Sequence, residues 1–383
     1  MVKRNSEIRH GAGAALLLTL VSIFYGAWIF LSYQPFTHLL YDPGWTVEVV
    51  RSIHDDFDLD LRNQLNFDPA SAGDQTALGS GGEWYPVHEL LLPVAAVPFF
   101  SIWGLNGTLC FNFLIGLLLA GGCYYAASHY TDPASAVIGA LGAALSPVII
   151  TYIYSFSTDL LGAALLIWAF GYAVRRRWAL AGLLTGAAVL GRVVNVFTLP
   201  AFCLFSIFAA SQMPGEIATK PAKGSLRPAF LFLAGAIPCA LIYFSANCLM
   251  FGGPFEAAYR HWIHPNAAGE LMITDQATMF DRHVFEGIID TLANRRSGLF
   301  TGVPLLPLAL LFGLIPFYRR DRPAFFLWVL AAAGLITGVA MFRTPFPGSL
   351  GNRYLIGIAA LSSVPLALTV EYLKKITLPR RAK

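Results

Sequence analysis

The sequence predicts an all-α polytopic membrane protein, and three observations carry that prediction. Of the 383 residues, 56% are hydrophobic and 13% are charged, about half the charged share of an ordinary soluble domain. The mean hydropathy is +0.60. The apolar residues also fall into repeated blocks of about 20 residues, the length that crosses a hydrocarbon core about 30 Å thick. A soluble globule is thereby excluded, and continuous blocks of this kind are not typical of a membrane β-barrel.

Eleven apolar blocks are candidate membrane segments. They cover residues 12–33, 87–103, 105–127, 134–154, 160–174, 178–190, 193–210, 229–250, 298–317, 324–342 and 354–373. Basic clusters at residues 175–177, 220–227, 319–322 and 374–383 separate or follow them. Cytoplasmic loops are enriched in Lys and Arg, so we expect these clusters and the N-terminus in the cytoplasm. The net charge of +4 therefore reflects topology and indicates no nucleic-acid partner.

These placements require an odd number of crossings between the outer end of the first block and residue 175. Four blocks lie in that interval, so one of them does not cross. Block 87–103 is the best candidate, because Pro86 precedes it and Pro93 and Pro98 interrupt it. Such a sequence suits a re-entrant or interface-lying segment. About ten transmembrane helices are thus predicted, with both termini in the cytoplasm.

Ten crossings separate the charges into two groups. The cytoplasmic segments carry a net charge of +12 and the outer segments one of −8, and all six lysines fall inside. Outer loops at residues 34–104 and 251–297 are too small for a soluble domain, so residues 1–383 are expected to form one transmembrane domain. Charges beside a membrane are costly unless they are used, so we expect the functional site on this acidic outer face.

The first outer loop is predicted to contain an amphipathic helix over residues 46–57. Trp45 and Val49 lie on one helical face, whereas Glu48 lies on the other. We expect this helix to lie on the outer membrane surface. Asp42 comes just before it, in an Asp-Pro-Gly turn, where a carboxylate is either a helix cap or a chemical group.

Five short stretches carry a family resemblance. They read YDPGW at residues 41–45 with the acidic run to residue 63, EWYPVHE at 83–89, FGGPFEAAY at 251–259, SGLF at 297–300 and GNRYL at 351–355. In this order, and over most of the chain, they resemble the bacterial branch of the GT-C glycosyltransferases. That class includes the protein O-mannosyltransferases and the lipid A aminoarabinose transferases. In these enzymes the segment after the first outer loop does not cross the membrane.

The resemblance implies a GT-C-like fold and an inverting glycosyltransferase of the cytoplasmic (inner) membrane. Such an enzyme moves a hexosyl or pentosyl group from a polyprenyl-phosphate donor to an acceptor glycan, lipid or protein on the extracytoplasmic face. An acidic residue of the first outer loop acts on the acceptor, which makes Asp42 the candidate general base. The chemistry agrees, because phosphate is already a good leaving group. One carboxylate to accept a proton and cations to neutralise the phosphate are sufficient.

Arginines are the candidate ligands of the lipid phosphate. A planar guanidinium binds phosphate oxygens in pairs, and no lysine is expected on the outer face. Arg353 lies between a Gly/Pro-rich loop and the last span, Arg192 at the tip of a short hairpin, and Arg296 beside Arg295 before the eighth span. Arg353 has an equal alternative as an arginine whose charged end only reaches the membrane interface.

Three further residues are candidates for the acceptor side of the site or for supporting positions. His88 and Glu89 begin the re-entrant segment and offer atoms that suit either a divalent metal ion or the acceptor. Asp159 follows Ser157 and Thr158 at the outer end of the fourth span. It is either a helix cap or a second carboxylate of the site. The reaction requires no cofactor, and the sequence leaves a divalent metal ion open.

Two other functions fit a polytopic chain: a transporter or lipid flippase, and a catalytically silent GT-C-like scaffold. A transporter places ionisable groups at mid-span and shows paired repeats. In this chain almost every outward charge falls in an outer loop or at the outer end of a predicted span. The distribution of charge therefore favours the transferase.

Overall fold

The computed structural model describes residues 2–32, 42–65, 75–208, 226–265, 271–275, 280–342 and 352–377. Helices dominate this part of the chain. Those of the first half are α1 (Val2–Ser32), α2 (Asp42–Asp55), α3 (Leu91–Trp103), α4 (Leu105–Ala127), α5 (Pro133–Ala144), α6 (Pro147–Ile153), α7 (Thr158–Val174), α8 (Trp178–Gly191) and, after a 3-10 turn at Val193–Thr198, α9 (Leu199–Phe208).

The second half begins with the long helix α10 (Arg227–Phe251) and a 3-10 turn at Ala258–Arg260. The helices that follow are α11 (Val284–Ala293), α12 (Leu299–Gly302), α13 (Leu306–Leu308), α14 (Leu314–Arg320), α15 (Arg322–Ala340), α16 (Ile356–Leu361) and α17 (Ser363–Thr377), with a π-helical segment at Ala309–Gly313 and a 3-10 turn at Arg353–Leu355.

Five helical segments of the described residues are long and apolar enough to cross a membrane. They are Arg9–Ser32, Leu105–Ala127, Arg227–Phe251, Arg322–Ala340 and Arg353–Thr377, and the bent pair α5 and α6 makes a sixth if it is one span. Shorter apolar helices accompany them at Leu91–Trp103, Thr158–Val174, Trp178–Gly191 and Val193–Phe208. The prediction of a helical membrane protein is confirmed, whereas the count of ten spans stays a prediction.

Helix α3 corresponds to the predicted re-entrant segment. Its 13 residues extend about 20 Å, which is less than the thickness of a hydrocarbon core. Helix α7, with 17 residues, and α8, with 14, are short as well, so length alone does not single out α3. The re-entrant course therefore stays a prediction.

Local signals in the sequence account for the helix ends. Asp132 caps α5 by accepting hydrogen bonds from the backbone N–H groups of Ala134 and Ser135. Pro147 has no N–H to donate and begins α6 at its first turn. The axes of α5 and α6 consequently differ by 67°. At the other end of the bundle α10 stops at Gly252, whose φ of 81° is the left-handed conformation that glycine adopts most readily.

A continuous core joins α4, α5, α7, α16 and α17. Two glycines show how closely neighbouring helices approach. A Cβ atom at Gly182 in α8 would overlap the carbonyl of Phe232 in α10, and one at Gly235 would overlap that of Ala179. Small residues permit such backbone contact, which is how membrane helices gain packing energy where water supplies no driving force.

Helix α2 confirms the predicted amphipathic helix, but protein covers its apolar face. Val47, Val49 and Val50 are at most 2% exposed, because α2 packs against α3 and the neighbouring strand. The predicted helix ended at Phe57, but this residue lies beyond the observed helix and is 90% exposed. The expectation that this face rests on lipid is thus corrected: the outer loops themselves bury it.

The two loops that were predicted to face outward contain a sheet that an all-α prediction did not include. Strands β1 (Thr76–Leu78), β2 (Trp84–Pro86), β3 (Trp262–Pro265) and β4 (Leu271–Thr274) pair antiparallel in the order β2, β1, β3, β4. Thr76 lies opposite Pro86 on one side and opposite Ile263 on the other. The central pairing of β1 with β3 joins the first outer loop to the second.

Candidate functional site

The candidate site is an ion-pair cluster of Glu89, Asp159, Arg192 and Arg353. Glu89 lies just before α3, Asp159 in the first turn of α7, Arg192 directly after α8, and Arg353 in the 3-10 turn before α16. The sequence predicted all four as site residues. The structure brings them together at one end of the helix bundle, beside the sheet of the outer loops.

Arg192 is the centre of this cluster. Its side chain is 6% exposed, its Nε lies 2.9 Å from Asp159 Oδ1, and its Nη1 lies 3.1 Å from Glu89 Oε2. The same Nη1 donates to the Thr158 hydroxyl at 3.3 Å. Burial alone would lower the pKa of this guanidinium, but Asp159 and Glu89 outweigh it and raise the pKa above its ordinary value. The cation is therefore permanent.

Glu89 has both carboxylate oxygens occupied. Oε1 accepts a hydrogen bond from the backbone N–H of Val193 at 2.8 Å, while Oε2 accepts one from Arg192. Its side chain is 7% exposed. Glu89 thus ties the start of α3 to the turn after α8, and a carboxylate held in this way is poorly placed to accept a substrate proton.

Of the two roles that the sequence left open for Asp159, the helix cap belongs to Ser157, whose side chain caps α7. As part of the helix start, the backbone N–H of Asp159 donates to the Ser157 hydroxyl oxygen at 3.3 Å, and that hydroxyl donates back to Asp159 Oδ2 at 2.9 Å. As an ionic group, its Oδ1 faces Arg192 and its Oδ2 lies 3.6 Å from Arg353 Nε. The carboxylate is 3% exposed, and its part as a second carboxylate of the site stays a prediction.

Arg353 is the more accessible arginine, with 17% of its side chain exposed. Its guanidinium carbon lies 5.2 Å from the centre of the Tyr354 ring, and that of Arg192 lies 4.7 Å from the same ring. Asn352 fixes this turn by accepting a hydrogen bond from the backbone N–H of Tyr354 at 3.0 Å. Two cations therefore share one aromatic ring and one carboxylate, an arrangement suited to binding an anion.

The second outer loop adds Tyr259, which the sequence did not suggest. It lies in the 3-10 turn just before β3 and interacts electrostatically with Glu89, Arg192 and Tyr354. Burial, followed by the charge of Glu89, raises the pKa of its phenol well above the ordinary value. The hydroxyl stays protonated at neutral pH.

A narrow cleft separates α2 from the start of α3. Trp45, Thr46, Gln75, His88 and Glu89 are among its lining residues. His88 is therefore between the cleft and the cluster, with its Nδ1 3.5 Å from Arg192 Nη1. Since a guanidinium can only donate, Arg192 is the donor in this contact.

Asp42 is the first residue of α2, and its side chain lies outside what the structure describes. The backbone nevertheless fixes its helical position. Trp45 and Thr46, three and four residues further on, share its face of the helix, and both line the cleft. The predicted base thus belongs to the helix face that borders the cleft.

Arg296 lies outside the cluster, and the divalent metal ion that the sequence left open is still open. Arg296 is exposed in the turn after α11, where its backbone N–H donates to Asn294 Oδ1 at 2.9 Å. The described residues include no group of three or more His, Cys, Asp or Glu side chains arranged to hold a metal ion. The predicted contact of Arg296 with the lipid phosphate stays a prediction.

Three members of the site were missed from the sequence: Thr158, Tyr259 and Tyr354. Tyr354 directly follows Arg353, and an aromatic residue beside a predicted phosphate ligand is a signal that could have identified it. Thr158 was noted only as part of a helix cap. Tyr259 stands within one of the stretches that carry the family resemblance, but nothing in its local sequence connects it with Glu89.

No protein-family model matches the sequence, and no curated protein matches it either. Several solved structures are similar to this chain in fold. ArnT from Cupriavidus metallidurans, crystallised with undecaprenyl phosphate, is 16% identical with a TM-score of 0.56, over 93% of this chain and 60% of that chain. The oligosaccharyltransferase of Archaeoglobus fulgidus in its apo form is 13% identical with a TM-score of 0.53, over 96% of this chain and 51% of its own.

A further structure, of the Archaeoglobus fulgidus oligosaccharyltransferase AglB with an inhibitory peptide and a dolichol phosphate, is 13% identical with a TM-score of 0.50, over 97% of this chain and 52% of its own. The present chain thus spans about three fifths of ArnT and half of the oligosaccharyltransferase. At this identity the likeness shows the fold. The resemblance to GT-C glycosyltransferases that the sequence predicted is confirmed at that level.

Proposed function

We propose that this protein is an inverting glycosyltransferase that moves a sugar from a polyprenyl-phosphate donor to an acceptor on the extracytoplasmic face of the membrane. One observation carries the proposal: Arg192 and Arg353 meet on a single tyrosine ring. They do so in a fold shared with a protein crystallised with undecaprenyl phosphate. A lipid phosphate is the anion that such a site would encounter at a membrane.

Arg353 is the proposed ligand of the donor phosphate. It is the more exposed of the two arginines, and its contact with Asp159 is longer than a hydrogen bond. Arg192 is held by two carboxylates. Its proposed part is to contribute positive charge near the Tyr354 ring that Arg353 also contacts. As the sugar leaves, negative charge grows on the phosphate, and preorganised cations stabilise that charge.

Asp42 is the proposed general base. The other two candidate carboxylates are less suitable, because Glu89 and Asp159 are buried and bound by arginine. The helix face of Asp42 borders the cleft that also reaches His88. An acceptor hydroxyl in this cleft would lose its proton to Asp42 as it attacks the anomeric carbon from the side opposite the phosphate. This single displacement inverts the configuration.

The finer features of the proposal follow the sequence analysis. They include ten spans with α3 re-entrant, cytoplasmic termini, the inner membrane as location, and a hexosyl or pentosyl group as the transferred sugar. The acceptor is a glycan, a lipid or a protein, and a divalent metal ion is left open. If no sugar transfer is found, the alternative functions are those of a transporter, a lipid flippase or a catalytically silent scaffold.

The test measures binding first and transfer second. Purified protein in detergent is titrated with undecaprenyl phosphate and with undecaprenol, followed by native mass spectrometry. Selective binding of the phosphate, lost in Arg353→Met, is expected. Protein is then incubated with polyprenyl-phosphate hexoses and pentoses and with an envelope extract as acceptor, and released polyprenyl phosphate is measured. Equal binding of both lipids, or no release from any donor, would contradict the proposal.

A further inference from the structure

The two arginines of the cluster hold Asp159 differently. Arg192 Nε is 2.9 Å from Oδ1, a close ion pair, whereas Arg353 Nε is 3.6 Å from Oδ2. Oδ2 is also the oxygen that accepts the Ser157 hydroxyl at 2.9 Å. The Asp159–Arg192 pair is therefore the tight one, and the Asp159–Arg353 pair is loose and shares its oxygen with a serine.

Exposure follows the same order. The side chains of Asp159 and Arg192 are 3% and 6% exposed, and that of Arg353 is 17% exposed. A buried pair with direct contact is costly to separate, because each ion would lose its compensation in a poorly solvated place. If Arg353 turns from Asp159 to a phosphate, each charge keeps a partner, since Arg192 stays beside the carboxylate and the phosphate neutralises Arg353.

The charges of the cluster cancel. Glu89 and Asp159 are balanced by Arg192 and Arg353, so an arriving phosphate adds negative charge to a neutral, largely buried group. The donor phosphate is a monoanion, because it is esterified at two oxygens. The lipid phosphate left after transfer gains a second ionisable oxygen and more negative charge. Among the described residues, Asp159 is the carboxylate that pairs with Arg353, so it competes with either anion for this arginine.

We propose that Asp159 is the internal counter-ion of Arg353, which the donor phosphate replaces and which helps to expel the product phosphate after transfer. This inference rests on the proposed function, because it takes Arg353 as the phosphate ligand. It makes Asp159 a positioning residue, not a catalytic residue. Its effect is to weaken the binding of the product lipid, so that the enzyme is not trapped in its product complex.

The first test is Asp159→Asn, with binding of undecaprenyl phosphate as the measurement and undecaprenol as the uncharged control. Asparagine keeps the size of aspartate and leaves Ser157 in place as the cap of α7. We expect the product lipid to bind about tenfold tighter, the change that accompanies loss of one nearby like charge. Unchanged or weaker binding would overturn the inference, because a simple support for Arg353 predicts those results.

The second test is Ser157→Ala, which acts in the opposite direction. Without the serine hydroxyl, Asp159 Oδ2 is left to Arg353, so the pair tightens and undecaprenyl phosphate is expected to bind several-fold more weakly, about threefold to fivefold. Ser135→Ala is the matched control, since that serine also donates to an aspartate at a helix start, Asp132 Oδ2 at 2.6 Å, but away from the cluster. Tighter or unchanged binding by Ser157→Ala would contradict the inference.

The two variants also separate this inference from the proposed function. If Arg353→Met abolishes selective binding of the lipid phosphate while both Asp159→Asn and Ser157→Ala leave it unchanged, the phosphate site survives and the counter-ion role fails. If Arg353→Met has no effect on binding, the proposed function fails at its own residue. Should Asp159→Asn not fold, the direction of the Ser157→Ala effect decides the matter.

Discussion

At the residue scale, Arg192 is the residue on which the others depend. It lies between two carboxylates and is buried with them. Removing one member of a buried ionic group costs roughly 3–5 kcal/mol, because the remaining charges stay buried without compensation. We expect Arg192→Met to lower the stability of the purified protein by about that amount and Arg192→Lys to lower it less, as measured by thermal unfolding in detergent.

Arg295→Met serves as control for that measurement, because Arg295 is exposed in the turn after α11. It should leave the unfolding temperature unchanged. Equal stability of Arg192→Met and wild type would mean that Glu89 and Asp159 do not need this cation.

Asp42→Asn tests the proposed base. Asparagine keeps the size and most hydrogen bonds of aspartate but accepts no proton at neutral pH, so sugar transfer should fall by roughly 10²–10⁴. A mere cap predicts normal activity, because Asn caps helices about as well as Asp. The measurement is transfer by wild type and variant, with thermal unfolding followed in parallel.

Asp55→Asn, at the opposite end of α2, is the matched control and should transfer normally. Near-normal transfer by Asp42→Asn would remove Asp42 from the mechanism and return attention to Glu89 and Asp159.

Arg353→Lys tests the proposed phosphate ligand. Lysine keeps the positive charge but loses the planar fork that binds two oxygens. The use of the lipid donor should weaken by one or two orders of magnitude, as expected for the loss of roughly 1.5–3 kcal/mol of charge-assisted hydrogen bonding. The concentration dependence of transfer on donor measures this, and Arg296→Lys tests the rival arginine. Unchanged donor kinetics in Arg353→Lys would mean that Arg353 does not bind the donor and that its charged end only reaches the membrane interface.

The residue types of the site were readable from the sequence, but their partners were not. An outward arginine beside an apolar block, or an aspartate after Ser-Thr, is an anomaly in its local setting. That Glu89 accepts from Arg192 and from the backbone of Val193 depends on how α3 packs against α8. No local pattern contains that information, since the residues are about a hundred positions apart.

At the scale of elements, the turn after α2 depends on Asp60. Its carboxylate accepts hydrogen bonds from Arg62 Nε at 2.8 Å and from the backbone N–H of Trp84 at 3.1 Å. Burial alone would raise the pKa of Asp60, but the hydrogen bond from Arg62 and those from the backbone outweigh burial, and the pKa lies below its ordinary value of 3.8. The turn is thus joined to β2 through an ionised carboxylate.

The sign of the pH dependence follows from that shift. A carboxylate whose pKa is lowered by folding stabilises the fold above its ordinary pKa and loses that contribution as the pH falls through the lowered value. We expect Asp60→Asn to cost roughly 1 kcal/mol at pH 7, and the difference from wild type to shrink below about pH 4. Thermal unfolding across this range measures it; a difference independent of pH would contradict the assignment.

The helices could be predicted and the strands could not, for reasons of length. An apolar block of about 20 residues is a strong signal, and Asp132 and Pro147 mark helix starts in recognisable ways. Strands of three and four residues, such as Thr76–Leu78 and Trp262–Pro265, are too short to show alternation. Their pairing also depends on a partner far along the chain. Helix α2 was found, but its apolar pattern could not reveal that protein, and not lipid, covers it.

At the scale of the whole molecule, the ten-span topology makes a prediction about sidedness. His129 is exposed in the turn between α4 and α5 and is expected in the cytoplasm if α3 does not cross. A cysteine at this position, with the five native cysteines replaced, should be shielded from an impermeant thiol reagent in intact cells. Phe57→Cys, exposed in the first outer loop, is the accessible control. Labelling of position 129 from outside would overturn the ten-span arrangement.

The sheet of the outer loops has a consequence for how the protein is made. Strand β1 pairs with β3, which follows α10 and is therefore synthesised long after the first loop. Until then β1 and β2 form only a two-stranded hairpin, which is marginally stable by itself. Tyr259 and Arg353 are also added late. The proposed donor site is thus completed only when nearly the whole chain has been inserted, so truncated nascent chains should be unable to bind the lipid phosphate, and incomplete copies should not act on the proposed donor during biosynthesis.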